Sequence, residues 1–300
     1  MSPRIAIIGP GAVGAVMAAR LGRVHEVLLC SRRPLAALVV ETAEGSIAIR
    51  TAGRTESDRA TTVDWILVAT KAHDSDGAAR WLPSLSGVDA PVAILQNGVE
   101  HRERFLAYLP ADRIVPVVVE CPAERPEPSR VRQRGPARLT VADDVAGRAF
   151  AALFAGTGVE VTLTPDLRSA AWRKLCVNAP GILSALLLRP AGVLHEEGLG
   201  NVARDLVREA IAVGRAEGAV LEDTLVESVL AGYQSAPADA VNSLLADRLA
   251  GRPMELDARN GAIVRLGLAH GIATPCNRMA VCLAMIAPTL EPRPMRPSGQ

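Results

Sequence analysis

Ile5-Ala6-Ile7-Ile8-Gly9-Pro10-Gly11-Ala12-Val13-Gly14 sets an apolar, largely β-branched run directly before a Gly-x-Gly-x-x-Gly turn, and the alanine-rich residues that follow have the composition of a helix. A strand passing through such a turn into a helix is the context in which this spacing acts as a dinucleotide fingerprint. Gly9 permits the tight turn, Gly11 lets a pyrophosphate approach the backbone, and Gly14 lets helix pack on strand, with Pro10, Ala12 and Val13 completing the loop. The helix N-terminus adds N–H groups and the positive end of its dipole, so phosphate attraction follows from backbone geometry.

The alternation continues outward from this turn. Runs at 4–8, 26–30, 64–69, 92–95 and 114–119 read as strands, and 12–22, 73–82 and 98–107 as the helices between them. That order gives an α/β fold with a Rossmann-type, doubly wound parallel sheet. The proline- and arginine-rich segment 122–136 breaks the pattern and is expected to be an irregular loop, followed by a strand at 137–142, a helix at 144–156 and a strand at 158–164. After Thr164-Pro165 only helices suit the chain, at 168–178, 183–188, 200–217, 222–231, 236–249, 255–270 and 276–286. The expected organisation is a dinucleotide-binding domain over 1–165, an all-helical substrate domain over 166–290, and a disordered proline-rich tail over 291–300.

Composition excludes several classes. With 300 residues, 49% of them hydrophobic, the chain can fill two cores. Lys plus Arg (33) balances Asp plus Glu (32) and aromatics are 3%, so neither a basic track nor base-stacking platforms stand out, and no nucleic-acid partner is expected. No apolar run approaches the roughly 18 residues of a membrane span. Cys30, Cys121, Cys176, Cys276 and Cys282 are scattered and form no Cys-x-x-Cys pair, which suits reduced thiols. A cytoplasmic protein without a membrane partner is the expectation. The five histidines have no metal-ligand spacing and there is no Gly-x-Ser-x-Gly elbow, so no metal and no serine acyl transfer are expected.

In doubly wound sheets ligands bind beyond the carboxyl ends of the strands. At the second strand's end, where Asp or Glu would hold a ribose 2′-OH, the chain reads Ser31-Arg32-Arg33. Arg32 can grip a 2′-phosphate, which favours NADP over NAD, although a solvated surface arginine is the plain alternative. Lys71 follows Trp65–Thr70 and Asn97-Gly98 follows Val92–Gln96. Lys71 can pair with phosphate or ribose and Asn97 can bond ribose or nicotinamide, but each alone is more often a plain turn residue. In Trp172-Arg173-Lys174-Leu175-Cys176-Val177-Asn178, Lys174 and Asn178 share one helix face. A lysine so placed can protonate the alkoxide formed when a carbonyl is reduced, whereas most helical lysines only solubilise a surface. Ser243 and Asp247, and Glu255 and Arg259, stand at i, i+4.

These residues in this order resemble the ketopantoate reductase family, the 2-dehydropantoate 2-reductases, over about residues 4–286. The resemblance rests on the glycine loop, Arg32, Lys71, Asn97-Gly98, Trp-Arg-Lys174-Leu-x-x-Asn178, and Gly-Arg-Pro-x-Glu255-x-Asp with Asn260-Gly261. It implies an NADPH-dependent reduction of a 2-oxo acid such as 2-dehydropantoate, a step of pantothenate biosynthesis. It also implies that Lys174 is the proton donor, that Asn178 and Ser243 bind the small carbonyl substrate, that Asn97 contacts both ligands, and that Glu255 sits where cofactor and substrate meet. The chain departs from the family pattern with Ile182 and Ala191 where asparagines are usual. That difference points to an alternative, a hydroxy-acid or opine-type dehydrogenase acting on a more apolar carbonyl compound. A non-catalytic NADP-binding sensor is the reading from another class, and retention of Lys174 with Glu255 speaks against it. The helical half leaves a homodimer open.

Overall fold

The computed structural model describes residues 2–34, 37–49, 52–55, 60–85 and 89–287, so the disorder expected for 291–300 lies outside the described residues. The chain forms two compact units, Met1–Lys174 and Leu175–Gln300.

The first unit contains β1 (Arg4–Ile8), α1 (Ala12–Leu21), β2 (Glu26–Cys30), β3 (Leu38–Thr42), β4 (Gly45–Ile49), β5 (Ala52–Arg54), β6 (Trp65–Val68), α2 (Ser75–Ala79), α3 (Leu82–Leu85), β7 (Val92–Ile94), β8 (Ile114–Pro116), β9 (Val118–Glu120), β10 (Ala123–Glu127), β11 (Arg130–Gln133), β12 (Arg138–Ala142), α4 (Val145–Leu153) and β13 (Glu160–Thr164). Six strands form one sheet in the order β5-β2-β1-β6-β7-β8, each neighbouring pair parallel. The alternation of β1 explains why it lies inside. Ile5 and Ile7 pack with Met17, Leu29 and Phe150 on one face, while Ala6 and Ile8 pack with Leu28, Ile66 and Phe105 on the other. Strand order reverses at β1, between β2 and β6, which is where such sheets bind ligands.

Three departures from the expected elements have physical causes. Segment 122–136 is not an irregular loop but the antiparallel hairpin β10/β11, with its register shift between Glu124 and Glu127, where Pro126 falls. β11 joins β3 and β4 in a second sheet, ordered β10-β11-β3-β4, because Val131 is fully buried and Arg130 and Arg132 both pair with Glu41 across the strands. Residues 98–107 form turns rather than a helix, after Gly98 at φ +110°. The strand expected at 114–119 is divided at Val117, so that β8 completes the large sheet and β9 joins a third, ordered β13-β12-β9.

α5 (Leu167–Asn178) runs across the division of the two units. The second unit is helical: α6 (Gly181–Leu187), α7 (Glu197–Ala216), α8 (Leu225–Ser235), α9 (Ser243–Leu249), α10 (Asn260–Ala269) and α11 (Pro275–Ile286). Ile182, Leu206, Leu230, Leu244 and Ala280 belong to its core. α9 starts later than expected because Asn242 caps it, its side chain accepting from Leu245 N at 3.0 Å. α10 likewise begins only at Asn260. No helix among the described residues is long and apolar enough to cross a membrane.

Candidate active site

The glycine loop leaves β1 at its carboxyl end. Gly9 has φ +85°, and a Cβ there would lie 2.6 Å from Thr70 Cγ2. At Gly14 a Cβ would meet Gly9 O at 2.3 Å and Ala69 Cβ at 3.1 Å. Both are therefore glycines because of the protein's own packing. Gly11 differs, since a Cβ added to it meets nothing within 4 Å. The space above Gly11 is a cradle that the chain leaves open. Gly11 also caps α1 without a side-chain hydrogen bond, and no acidic residue lies in the first turn, so the N–H groups there suit an anion. Arg125 on β10 donates Nη1 to Pro10 O at 2.7 Å and brings a guanidinium to the loop. Arg125 is not legible as a site residue in the sequence, where its segment reads as a loop.

Arg32, beyond the end of β2, has a largely exposed side chain, with Nη1 3.6 Å from Asp74 Oδ2. The ends of β6 and β7 are joined by Gln96, another residue the sequence reading passed over. Its buried amide donates Nε2 to Thr70 Oγ1 at 3.1 Å and to Lys71 O at 3.4 Å, and its Oε1 lies 3.1 Å from Ser75 Oγ. Gln96 thus fixes the backbone of Lys71 against that of Asn97. Behind it, His101 Nε2 lies 2.9 Å from Gln96 O. Burial pushes the His101 imidazole down to about 4, with the Lys174 and Arg104 charges acting in the same direction, so the neutral ring donates to that carbonyl.

α5 carries Lys174 to the same place. The helix starts at Asp166, whose carboxylate accepts from Ser169 N at 3.0 Å and from Ser169 Oγ at 2.5 Å. Trp172 and Leu175 bury the helix beside it. Lys174 Nζ donates to Asn97 Oδ1 at 3.3 Å and to the Val119 carbonyl. A continuous set of contacts therefore leads from the glycine loop through Thr70, Gln96 and Asn97 to Lys174. Cys121 is not a nucleophile there, since burial pushes its thiol up to about 12.

In the second unit, Asn178, Ser243 and Glu255 are related by Arg259. This arginine is 2% exposed, and it donates Nη2 to Asn178 O at 2.6 Å and Nη1 to Ser243 Oγ at 3.2 Å. Ser243 and Asp247 both lie on α9, where Asp247 also pairs with Arg252 at 3.0 Å, whereas Glu255 precedes the first turn of α10. Glu255 is buried, and its charge, with that of Asp247, opposes the burial that pushes the Arg259 guanidinium down. A Cβ at Gly181 would lie 3.2 Å from Arg259 Nη2, 3.2 Å from Asn242 Nδ2 and 3.3 Å from Tyr233 OH, so these polar tips converge on bare backbone. Ile182 and Ala191 are both buried, Ile182 within the unit's core. They are packing residues.

Comparison with known proteins agrees over most of the chain. Residues 5–144 match the family model described as Ketopantoate reductase PanE/ApbA, and residues 166–286 match that of its C-terminal part. The 2-dehydropantoate 2-reductase of Caulobacter vibrioides is 52% identical over 281 residues, spanning 93% of this chain and 97% of the relative. The 2-dehydropantoate 2-reductase of Mycobacterium tuberculosis is 40% identical over 291 residues, spanning 96% and 98%. Among solved structures, a PanE/ApbA family ketopantoate reductase from Ralstonia eutropha superposes with a TM-score of 0.87 at 32% identity, covering 95% of this chain and 98% of that one.

Proposed function

Because the chain belongs to the ketopantoate reductase family of oxidoreductases, we propose that it reduces the 2-oxo group of 2-dehydropantoate with NADPH and that Lys174 supplies the proton. The observation that carries this reading is the placement of Lys174, whose Nζ is 3.3 Å from Asn97 Oδ1, in the contact chain that starts at the glycine loop. Asn97 and the Val119 carbonyl are neutral acceptors, so they orient the ammonium without removing its proton.

The residues present fit a dinucleotide. The loop from Gly9 to Gly14 and the N-terminus of α1 would take the pyrophosphate in the cradle above Gly11, and Lys71 and Asn97 would hold the ribose and nicotinamide side. Arg32, exposed at the end of β2, supports a 2′-phosphate and hence NADP. When bound, the reduced nicotinamide supplies the hydride. As negative charge develops on the substrate oxygen, the Lys174 ammonium stabilises it and then protonates it. Asn178 and Ser243 orient the substrate, and Glu255 stands where cofactor and substrate meet in the same reading. Since Ile182 and Ala191 are packing residues, they support no preference for a more apolar acceptor.

The test is steady-state turnover of a 2-oxo acid panel that includes 2-dehydropantoate, with NADPH and NADH side by side. We expect NADPH to be preferred and Lys174→Ala to lower kcat by about 10²–10⁴-fold, with NADPH affinity by fluorescence titration close to wild type. Unchanged turnover in that variant would refute the assignment.

A further inference from the structure

We infer that Arg259 is the positioning residue that makes Ser243 a receptor for a carboxylate, and so selects 2-oxo acids over their neutral analogues. This inference rests on the proposed reduction of a 2-oxo acid. Its grounds lie in the second unit alone. Arg259 is 2% exposed, a rare state for a guanidinium, and the two hydrogen bonds it makes go to neutral oxygens, Ser243 Oγ at 3.2 Å and Asn178 O at 2.6 Å. Its Nε is buried and has no hydrogen-bond partner. Buried unsatisfied donors are uncommon in folded proteins, and each calls for an explanation in function or in an absent ligand.

Exposure assigns the direction of action. Ser243 is exposed while Arg259 lies behind it, so a ligand meets the hydroxyl first. Because Ser243 Oγ accepts from Nη1, its own proton is turned to donate, and the guanidinium adds positive potential along that direction. A charge is needed there. Glu255 is buried close enough to act on Arg259, and a substrate carboxylate recognised beside Glu255 would be repelled unless a cation stood with them. Among the described residues of this unit, Arg259 is the buried arginine. Ile182, which stands where the family usually has an amide, is fully buried and offers no polar group of its own. A charged receptor at Ser243 takes over recognition that an amide would otherwise share.

A purely structural Arg259 would brace Asn178 and Ser243 regardless of the ligand's charge, and this separates the two roles. The experiment compares a 2-oxo acid with its neutral amide in wild type, Arg259→Met, Arg259→Lys and Ser243→Ala. It measures kcat/KM with NADPH and, as a readout free of turnover, calorimetric binding to the NADP-saturated protein. Arg259→Met is expected to lower kcat/KM and affinity for the acid by about 100-fold while the amide changes by less than about 5-fold. Arg259→Lys should restore part of the preference. Equal losses for acid and amide in both arginine variants overturn the inference. If the arginine variants do not fold, Ser243→Ala decides: its acid preference should collapse, and an unchanged acid-to-amide ratio overturns the inference. Wild type that binds the acid more tightly than the amide but reduces neither would refute the proposed reaction and leave the receptor standing.

Discussion

Gly11 and Gly14 lie three residues apart in one turn, yet they answer to different constraints. Alanine at Gly14 would drive a Cβ to within 2.3 Å of Gly9 O, so the backbone of the loop must move. Alanine at Gly11 meets no protein atom within 4 Å, and its φ of −70° is open to any L residue. We therefore predict that Gly14→Ala lowers the melting temperature of the ligand-free protein, whereas Gly11→Ala leaves it unchanged and weakens NADPH binding by about tenfold or more. Thermal denaturation and fluorescence titration read the two effects separately, and equal melting losses would show that Gly11 is also a packing glycine. At this scale the sequence is legible where a function is written in adjacent residues, as in the glycine loop. It is not legible where the partner is distant. Gln96 reaches back to Thr70, Arg125 to Pro10 and Arg259 to Asn178, and no local spacing records such pairings.

Elements differ in legibility for a related reason. β1, β6 and β7 are buried on both faces and show as continuous apolar runs, which periodicity detects directly. The sheet made of β3, β4, β10 and β11 is held partly by charge, with Arg132 3.0 Å from Glu41 and Arg134 2.6 Å from Glu124, and the residues of β10 and β11 read as a polar loop until the pairing is seen. In the second unit the helices were legible but the polar ties among them were not. Asn277 and Asn260 are fully buried, and Asn260 Nδ2 donates to Asn277 Oδ1 at 2.9 Å and to Ala179 O at 3.0 Å. Asn277 Nδ2 donates to Glu209 Oε2 at 2.7 Å, and the Glu209 carboxylate accepts from Cys276 N at 2.8 Å and Asn277 N at 2.9 Å, capping α11. Removing Asn277 leaves both Asn260 and Glu209 short of a partner inside the core. Asn277→Ala is thus expected to cost about 2–4 kcal/mol in urea unfolding. Asp144→Ala removes a single cap, the bond from Gly147 N at 2.7 Å that starts α4, and should cost about 1 kcal/mol. A smaller loss for Asn277→Ala than for Asp144→Ala would mean that water replaces the buried ties.

At the scale of the molecule, acid should act on the first unit before the second. His101 is 4% exposed and neutral in the fold, its imidazole pushed down from 6.5 to about 4 by burial, with Lys174 and Arg104 adding to the effect. The unfolded chain takes up a proton there below about 6.5, and the folded chain does not until about 4, so the unfolded state binds more protons in that window. Stability is therefore full above the unfolded value and falls as pH drops toward 4, by on the order of 3 kcal/mol in all. The carboxylates that titrate low, Glu41 and Asp166 in the first unit and Glu227 in the second, are held down first by hydrogen bonds from Arg132, Ser169 and Arg204 respectively. Their contributions are present above their ordinary values and are lost as pH falls from there through the folded ones, which begins only at the acid end of the window in which His101 acts. Each unit has its own core, so the two can respond separately. Calorimetric scans between pH 7 and pH 4.5 should show the first unit's transition moving to lower temperature while the second unit's moves little. His101→Gln keeps an N–H for the Gln96 carbonyl but cannot titrate, so its first-unit transition should depend less steeply on pH. Comparing slopes cancels any constant cost of the substitution, and a variant whose slope matches wild type would place the acid sensitivity elsewhere in the chain.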